Sequence, residues 1–291
     1  MVYDCIVIGQ GPAGISASIY LKRANKNVLT IGKDLGVLES NKITIENYYG
    51  LKSVSGIDIA KAGIDQALSL GCEIVTAEVL DIKASGSNFI VTTDTKKYES
   101  QTIIIATGQK RTTPKIARLN KYIGKGVSFC VTCDGFFFRN KKVGIIGNSK
   151  YMLHELNDLA SITNDITVFT NGEPLAEKLN YPIVEEKLIS ISGNEDFISS
   201  VTTAKNTYEI DGLFVALGFA GGLDIARKLG ILTSDNEIMV NESNETNIKG
   251  AFAAGDIIKG KRQIVKAAYD GMLAASGVIE YLYNKKKVAE I

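Results

Sequence analysis

The residues best suited to chemistry lie together in Phe129-Cys130-Val131-Thr132-Cys133-Asp134-Gly135. Two cysteines separated by two residues can cycle between dithiol and disulfide. Either thiolate can attack an external disulfide, and its neighbour then resolves the mixed disulfide. The carboxylate of Asp134 follows at once, where it can act as a general acid–base towards a thiol. Asp is equally an ordinary turn or N-cap residue. Such a pair needs a source or sink of electrons, so the rest of the chain is read for what could supply one.

Tyr3–Ile8 is a short apolar run suited to a strand buried on both faces. It leads into Gly9-Gln10-Gly11-Pro12-Ala13-Gly14, and the apolar spacing that follows predicts a helix over Ile15–Arg23. This is G-x-G-x-x-G between a strand and a helix. The first glycine permits the tight turn, the second lets a pyrophosphate approach the backbone, and the third lets helix and strand pack closely. A ligand-free glycine turn is the simpler reading of the motif alone; its position favours nucleotide binding at the helix N-terminus.

Further along, a strand is expected over Asn27–Ile31, a helix over Ser55–Gly71, and strands over Glu73–Lys83, Phe89–Thr93 and Gln101–Ala106. Beyond the cysteines, Val143–Ile146, the turn Gly147-Asn148-Ser149, a helix over Tyr151–Ile162 and a strand over Ile166–Thr170 form a second β-α-β unit. Strands over Asp211–Leu217 and Ala251–Ala254 precede Gly255-Asp256. A last helix is expected over about Gln263–Tyr283, with Lys285–Lys287 as a solvated tail. The class is α/β, and 291 residues favour two domains.

Composition narrows the function. A net charge of +1 gives no global attraction to nucleic acid or to an anionic membrane. No apolar run is long enough to span a bilayer, and the N-terminus reads as a strand rather than a signal peptide. Four cysteines in so long a chain fit a reducing cytoplasm better than a disulfide scaffold. With His154 the single histidine, no metal site is expected. Cys5 and Cys72 read as small buried hydrophobes, His154 as structural or solvated, and Gly218–Gly222 as a turn. From Lys110 to Lys125 the chain carries Lys110, Arg111, Lys115, Arg118, Lys121 and Lys125 and no acidic residue. A solvated face and a docking surface for an acidic protein both account for that run.

Taken with Glu46-Asn47-Tyr48-Tyr49-Gly50, Ala106-Thr107-Gly108 and Arg262-Gln263, these motifs resemble the low-molecular-weight thioredoxin reductase family over nearly the whole chain. The resemblance implies a homodimer of two Rossmann-like, three-layer domains. An FAD domain over 1–111 and 244–291 would be interrupted by a dicysteine domain over 112–243. Flavin contacts would fall on Gly9, Gly11, Pro12, Ala13 and Gly14, on Gly32, Lys33 and Gly36, and on Asn47. They would continue at Val79 near the adenine, Thr107, Gly108, Gly255, Asp256, Arg262, Gln263 and Ile264. Cys133 would lie nearer the flavin, Cys130 would attack thioredoxin, and Asp134 would handle the proton. Exposing the dithiol to a protein substrate implies domain rotation, with hinges near Thr112–Ala117 and Val240–Lys249.

The chain departs from that pattern in two places. Gly36-Val37-Leu38 stands where the family commonly has Gly-Gly-Gln. In the second β-α-β unit, NADPH-dependent members carry another G-x-G-x-x-A/G and then a His-Arg-Arg cluster for the 2′-phosphate. Here the glycine positions are Gly147, Ser149 and Met152, and the cluster is Thr170-Asn171-Gly172-Glu173. A side chain at the second position obstructs the pyrophosphate, and a phosphate dianion loses its charge-assisted partners. The pattern resembles the ferredoxin-dependent flavin thioredoxin reductases, implying ferredoxin as donor and thioredoxin as acceptor. Three other readings stay open: an NADPH-dependent reductase with an unusual site, a flavin-dependent dithiol oxidase, and a flavin redox sensor without turnover.

Overall fold

The computed structural model describes residues 1–39, 44–109, 114–175 and 177–289. The chain divides into two compact units, Met1–Lys110 with Gly221–Ile291, and Arg111–Ala220. Lys110 and Arg111 of the basic run, and the start of the first expected hinge at 112–113, lie outside the described residues.

In the first unit, Val2–Ile8 is flanked by parallel strands Val28–Gly32 and Lys97–Ile105, with Ile6 opposite Leu29 and Ile103. Glu73–Thr76 extends one edge in parallel, and Ala251–Ala253 runs parallel beside Lys97–Ile105. Asn88–Thr93 and Val79–Ser85 add an antiparallel hairpin. The central strands are buried because helices cover the sheet, which is why their apolar runs show no alternation. The helix Pro12–Arg23 opens on a proline, whose missing N–H costs nothing in a first turn, and closes on Lys22 and Arg23. It packs against the C-terminal helix Ile264–Ala289, and the Ser16 hydroxyl donates to the Ala268 carbonyl at 2.6 Å.

Two expectations are corrected here. The single strand expected over Glu73–Lys83 is two, because the chain changes partners at Ala77-Glu78. The Ala77 amide still reaches the Gly32 carbonyl, but the Glu78 amide turns to Asp94 and its carboxylate to Lys33 at 2.7 Å. Lys285–Lys287 is no separate tail, since the last helix continues through it. Lysine is a good helix former, and cations suit a helix C-terminus.

The second unit holds five parallel strands in the order Ile183–Val184, Ile166–Phe169, Val143–Ile146, Gly212–Val215 and Val127–Ser128. A three-stranded antiparallel sheet, Leu188–Gly193, Ile198–Thr203 and Thr207–Glu209, stands beside it. Tyr122, Phe169, Ile191, Val201 and Leu213 belong to one core cluster.

The chain returns to the first unit at Gly221, not at 244, so the expected second hinge at Val240–Lys249 falls inside that unit. The reason is the helix Gly222–Lys228. Gly222 lies against Thr107 and Ile257, with no room for a Cβ, and buried Lys228 sits 3.9 Å from buried Asp81. Among the described residues, no helix is long and apolar enough to cross a membrane.

Candidate active site

The edge strand Val127–Ser128 delivers the chain to Cys130, which caps the short helix Val131–Asp134. Cys130 and Cys133 form a disulfide with Cα atoms 5.3 Å apart. The Cys130 sulfur accepts the Cys133 amide at 3.1 Å. Cys130 is buried and Cys133 is exposed. The hydroxyl of buried Ser128 accepts the Cys130 amide at 3.1 Å and donates to Asp134 Oδ2 at 2.6 Å. One hydroxyl therefore ties a cysteine to the adjacent carboxylate. On the other side, the Val131 amide donates to Glu155 Oε2 at 3.1 Å, and Glu155 is 1% exposed.

The segment Gly135–Phe138 follows directly. Phe138 turns inward and meets Phe214 edge-on at 5.4 Å. Phe136 and Phe137 stay 69% and 68% exposed, an unusual share for adjacent large aromatics. They put an apolar surface next to the disulfide.

In the first unit, one cleft is lined by Gly9, Gly11, Pro12, Ala13, Gly36, Thr107, Gly108, Gly255, Asp256, Arg262, Gln263 and Ile264. Gly9 has φ +115°, and an added Cβ would run into the Ala106 carbonyl. Gly11 and Gly108 leave open space where a Cβ would stand, so bare backbone faces the cleft at both points. The first turn of the helix Pro12–Arg23 adds unpaired amides. An extended dinucleotide with a pyrophosphate at that turn fits this lining. Burial holds the Asp256 carboxyl above its usual range, and Asp270 adds to the effect while Lys266 and Arg262 oppose it.

Gly14, Gly32, Lys33, Asn47 and Val79 lie outside this lining. Gly14 lets the helix touch the Gly9 carbonyl, and Gly32 abuts Gln10. Lys33 pairs with Glu78, Asn47 donates to Gln263 at 2.9 Å, and Val79 is buried in its strand. Gln10, Asp34 and Gln109 also line the cleft; Asp34 accepts the Gly36 amide at 2.8 Å, and Gln109 accepts from Arg262. Each sits beside a motif residue, so adjacency could have flagged them. Nothing in the local sequence marks Ser128 or Glu155.

The second glycine loop is filled by its own side chains. Met152 is fully buried, and a Cβ at Gly147 would meet Met152 Cβ and Cγ at 2.8 Å. Ser149 caps the helix Lys150–Ala160 and accepts the Met152 amide at 3.4 Å. In the following loop, Asn171 accepts the Leu188 amide at 3.0 Å, and the stem of Lys187 runs against Gly172. A cation absent from the Thr170–Glu173 sequence thus comes from the connection just before the strand Leu188–Gly193.

Part of the basic run is internally engaged. Lys121 pairs with Glu195 at 3.1 Å, and Lys125 donates to the Glu195 carbonyl at 2.9 Å. The hydrogen bond from Lys121 holds the Glu195 carboxyl below its usual range. Arg118 donates to the Tyr122 hydroxyl at 3.1 Å, while Lys115 is exposed. His154, Glu155 and Asp158 bring polar atoms within 4.8 Å of one another.

The family described as pyridine nucleotide-disulphide oxidoreductase matches residues 3–271. The thioredoxin reductase of Bacillus subtilis (strain 168) is 30% identical over 302 residues, covering 97% of this chain and 95% of its own length. The atypical thioredoxin reductase TRi from Desulfovibrio vulgaris Hildenborough superposes with a TM-score of 0.91 at 30% identity, over 97% of this chain and 99% of that one. A ferredoxin-flavin thioredoxin reductase from Clostridium acetobutylicum gives 0.71 at 29% identity, over 97% and 98%.

Proposed function

The chain belongs to the pyridine nucleotide-disulphide oxidoreductase family, as a thioredoxin reductase-type flavoprotein, and from that premise we propose that it reduces thioredoxin with electrons from ferredoxin. FAD is the cofactor of this family. When bound, it supplies the chemistry that lets electrons arriving singly leave in pairs. The residues that would hold it are those of the first cleft, with the Gly9–Gly14 turn at the pyrophosphate and Asp256, Arg262 and Gln263 along its length. In the second unit, the Cys130 thiolate attacks a disulfide sulfur of thioredoxin and releases the other sulfur as a thiolate. Cys133 then attacks Cys130 Sγ, releasing the second thioredoxin sulfur and closing the Cys130–Cys133 disulfide. Asp134, held by Ser128, returns protons to the departing sulfurs. Exposed Phe136 and Phe137 form the apolar part of the thioredoxin contact.

The observation that carries the donor assignment is the second glycine loop. Ser149 takes a helix amide that a pyrophosphate would need, and Met152 fills the space where helix and strand must close. Exposed Lys115, beyond the part of the run that Glu195 engages, and exposed Arg118 would face an acidic electron carrier. The NADPH-dependent alternative draws on the B. subtilis relative and on Lys187, whose stem lies beside Gly172. A homodimer is part of the reading. The groove between Ile15, Ile19 and Tyr20 on one side and Tyr269 and Met272 on the other is the surface we assign to it. The deciding experiment is an anaerobic titration of the oxidised holoenzyme with NADPH, NADH and reduced ferredoxin, followed by flavin absorbance. Ferredoxin should bleach the flavin within turnover time and the nucleotides should not. Equally fast bleaching by NADPH rejects the donor assignment.

A further inference from the structure

The dicysteine turn carries a second carboxylate that the proposed chemistry does not use. Glu155, on the helix Lys150–Ala160, is 1% exposed and accepts the Val131 amide at 3.1 Å. That amide belongs to the peptide joining Cys130 to Val131. Two residues on, the Cys133 amide donates to Cys130 Sγ at 3.1 Å. One four-residue turn thus presents one N–H to sulfur and another to a buried carboxylate. The two contacts act oppositely on Cys130 when the disulfide opens. The Cys133 N–H favours a Cys130 thiolate, whereas a negative charge one peptide away disfavours it.

We infer that Glu155 is a positioning residue for Cys130: its carboxylate fixes the dicysteine turn, and its charge keeps the reduced Cys130 thiol less acidic than the turn alone would make it. The inference rests on reading Cys130 as the thiol that attacks the substrate disulfide. A less acidic thiol is a stronger nucleophile once deprotonated, and it retains its proton when the disulfide is reduced. Reduction takes up two electrons from the donor and, with both thiols protonated, two protons. Where the pH would otherwise leave Cys130 partly ionised, raising its pKa removes the stabilisation that ionisation gives the reduced state, so the disulfide is harder to reduce and the dithiol the better reductant. Other ionisable groups lie on the elements packed around this turn. Asp134 lies on its own turn, and Lys150, Tyr151, His154 and Asp158 share the helix with Glu155. His154 and Asp158 lie within 4.8 Å of the Glu155 carboxylate. The packed segment Gly135–Phe138 contributes none, and Arg139 follows it.

The test uses the FAD-loaded holoenzyme carrying Cys133→Ser, which leaves Cys130 as the reduced thiol of the pair, with Cys5 and Cys72 the other thiols of the chain. Iodoacetamide modification of Cys130 is followed against pH, with the site read by mass spectrometry. Adding Glu155→Gln keeps an acceptor for the Val131 amide and removes the charge. The midpoint should fall by about one pH unit or more. In the two-cysteine enzyme the same change should raise the disulfide's reduction potential measured at a pH above the Cys130 midpoint. Glu155→Ala should shift the midpoint in the same direction and also lower Tm, with Glu155→Gln restoring Tm but not the midpoint. An unchanged midpoint in Glu155→Gln overturns the inference, as does a midpoint that returns to the parent value along with Tm. Trapping the mixed disulfide with thioredoxin tests the underlying reading separately. Cys133→Ser should trap it, and trapping by Cys130→Ser instead would reverse the cysteine roles while the titration still reports on Glu155.

Discussion

The Ser128 hydroxyl donates to Asp134 Oδ2 at 2.6 Å while accepting the amide of Cys130 at 3.1 Å, so a single buried side chain holds the acid against the backbone of the cysteine. Removing it frees the carboxylate to rotate and leaves the Cys130 amide without that acceptor. A hydrogen bond to a charged group contributes about 1.5–3 kcal/mol. Ser128→Ala should therefore lower kcat for thioredoxin reduction roughly tenfold to a hundredfold, with KM nearly unchanged. Ser128→Thr, which keeps the hydroxyl, should recover most of it. Steady-state kinetics with the natural donor decides, and a fall in kcat/KM carried by KM alone would contradict this role.

Gly9 offers a sharper test of the cofactor cleft. Its φ of +115° is unfavourable for any side chain, and the added carbon would overlap the Ala106 carbonyl at the end of a central strand. Strain there displaces the turn that faces the pyrophosphate. Gly9→Ala should cost at least about 1 kcal/mol of stability and lose most of its FAD on gel filtration. The ratio of flavin absorbance to protein, set beside Gly86→Ala in an exposed hairpin turn, gives the comparison. The Gly86 variant is also strained, at φ +59°, yet it should keep its flavin.

Asp256 predicts a pH dependence for the apoprotein. Burial raises its folded-state pKa above the unfolded value, so the folded form binds the extra proton in the window between the two. The contribution to stability is fully present below the unfolded pKa, near 3.9, and is lost as pH rises through the folded pKa. Asp256→Asn removes this dependence. Urea midpoints of the apoprotein measured from pH 4 upward should fall less steeply in the variant, while its affinity for FAD drops. Parallel wild-type and variant profiles would show that Asp256 does not titrate in that window.

How much of this was legible in the chain follows from how local each signal is. The first glycine turn could be read because three glycines at fixed spacing answer three separate steric demands within six residues. The two cysteines and Asp134 were legible for the same reason. The break at Ala77-Glu78 was not, because two apolar strand segments joined without a turn residue look like one; only the partners Gly32 and Asp94 separate them. The early return at Gly221 was hidden likewise. It depends on Lys228 meeting Asp81, a pairing across 147 positions that no periodicity reports. Ser128 and Glu155 stayed silent because serine and glutamate are unremarkable in a strand end and a helix. Their roles come from what the fold brings opposite them.

Met152 ties stability to donor choice in one experiment. Its side chain is fully buried beneath Gly147, so Met152→Ala leaves a cavity and should cost about 2–5 kcal/mol, read as a lower denaturation midpoint. The same change reopens the space a dinucleotide loop requires. Even with Ser149→Gly added, which removes the hydroxyl now holding the Met152 amide, the loop Thr170–Glu173 still carries Glu173 and none of the basic residues of a His-Arg-Arg cluster, with Lys187 beside Gly172. The double variant should therefore remain unreduced by NADPH. A triple variant adding Asn171→Arg and Glu173→Arg should gain slow NADPH-dependent bleaching of the flavin. If the double variant alone accepts electrons from NADPH, side chains in the loop were the whole obstacle, and the missing cations play no part in excluding the nucleotide.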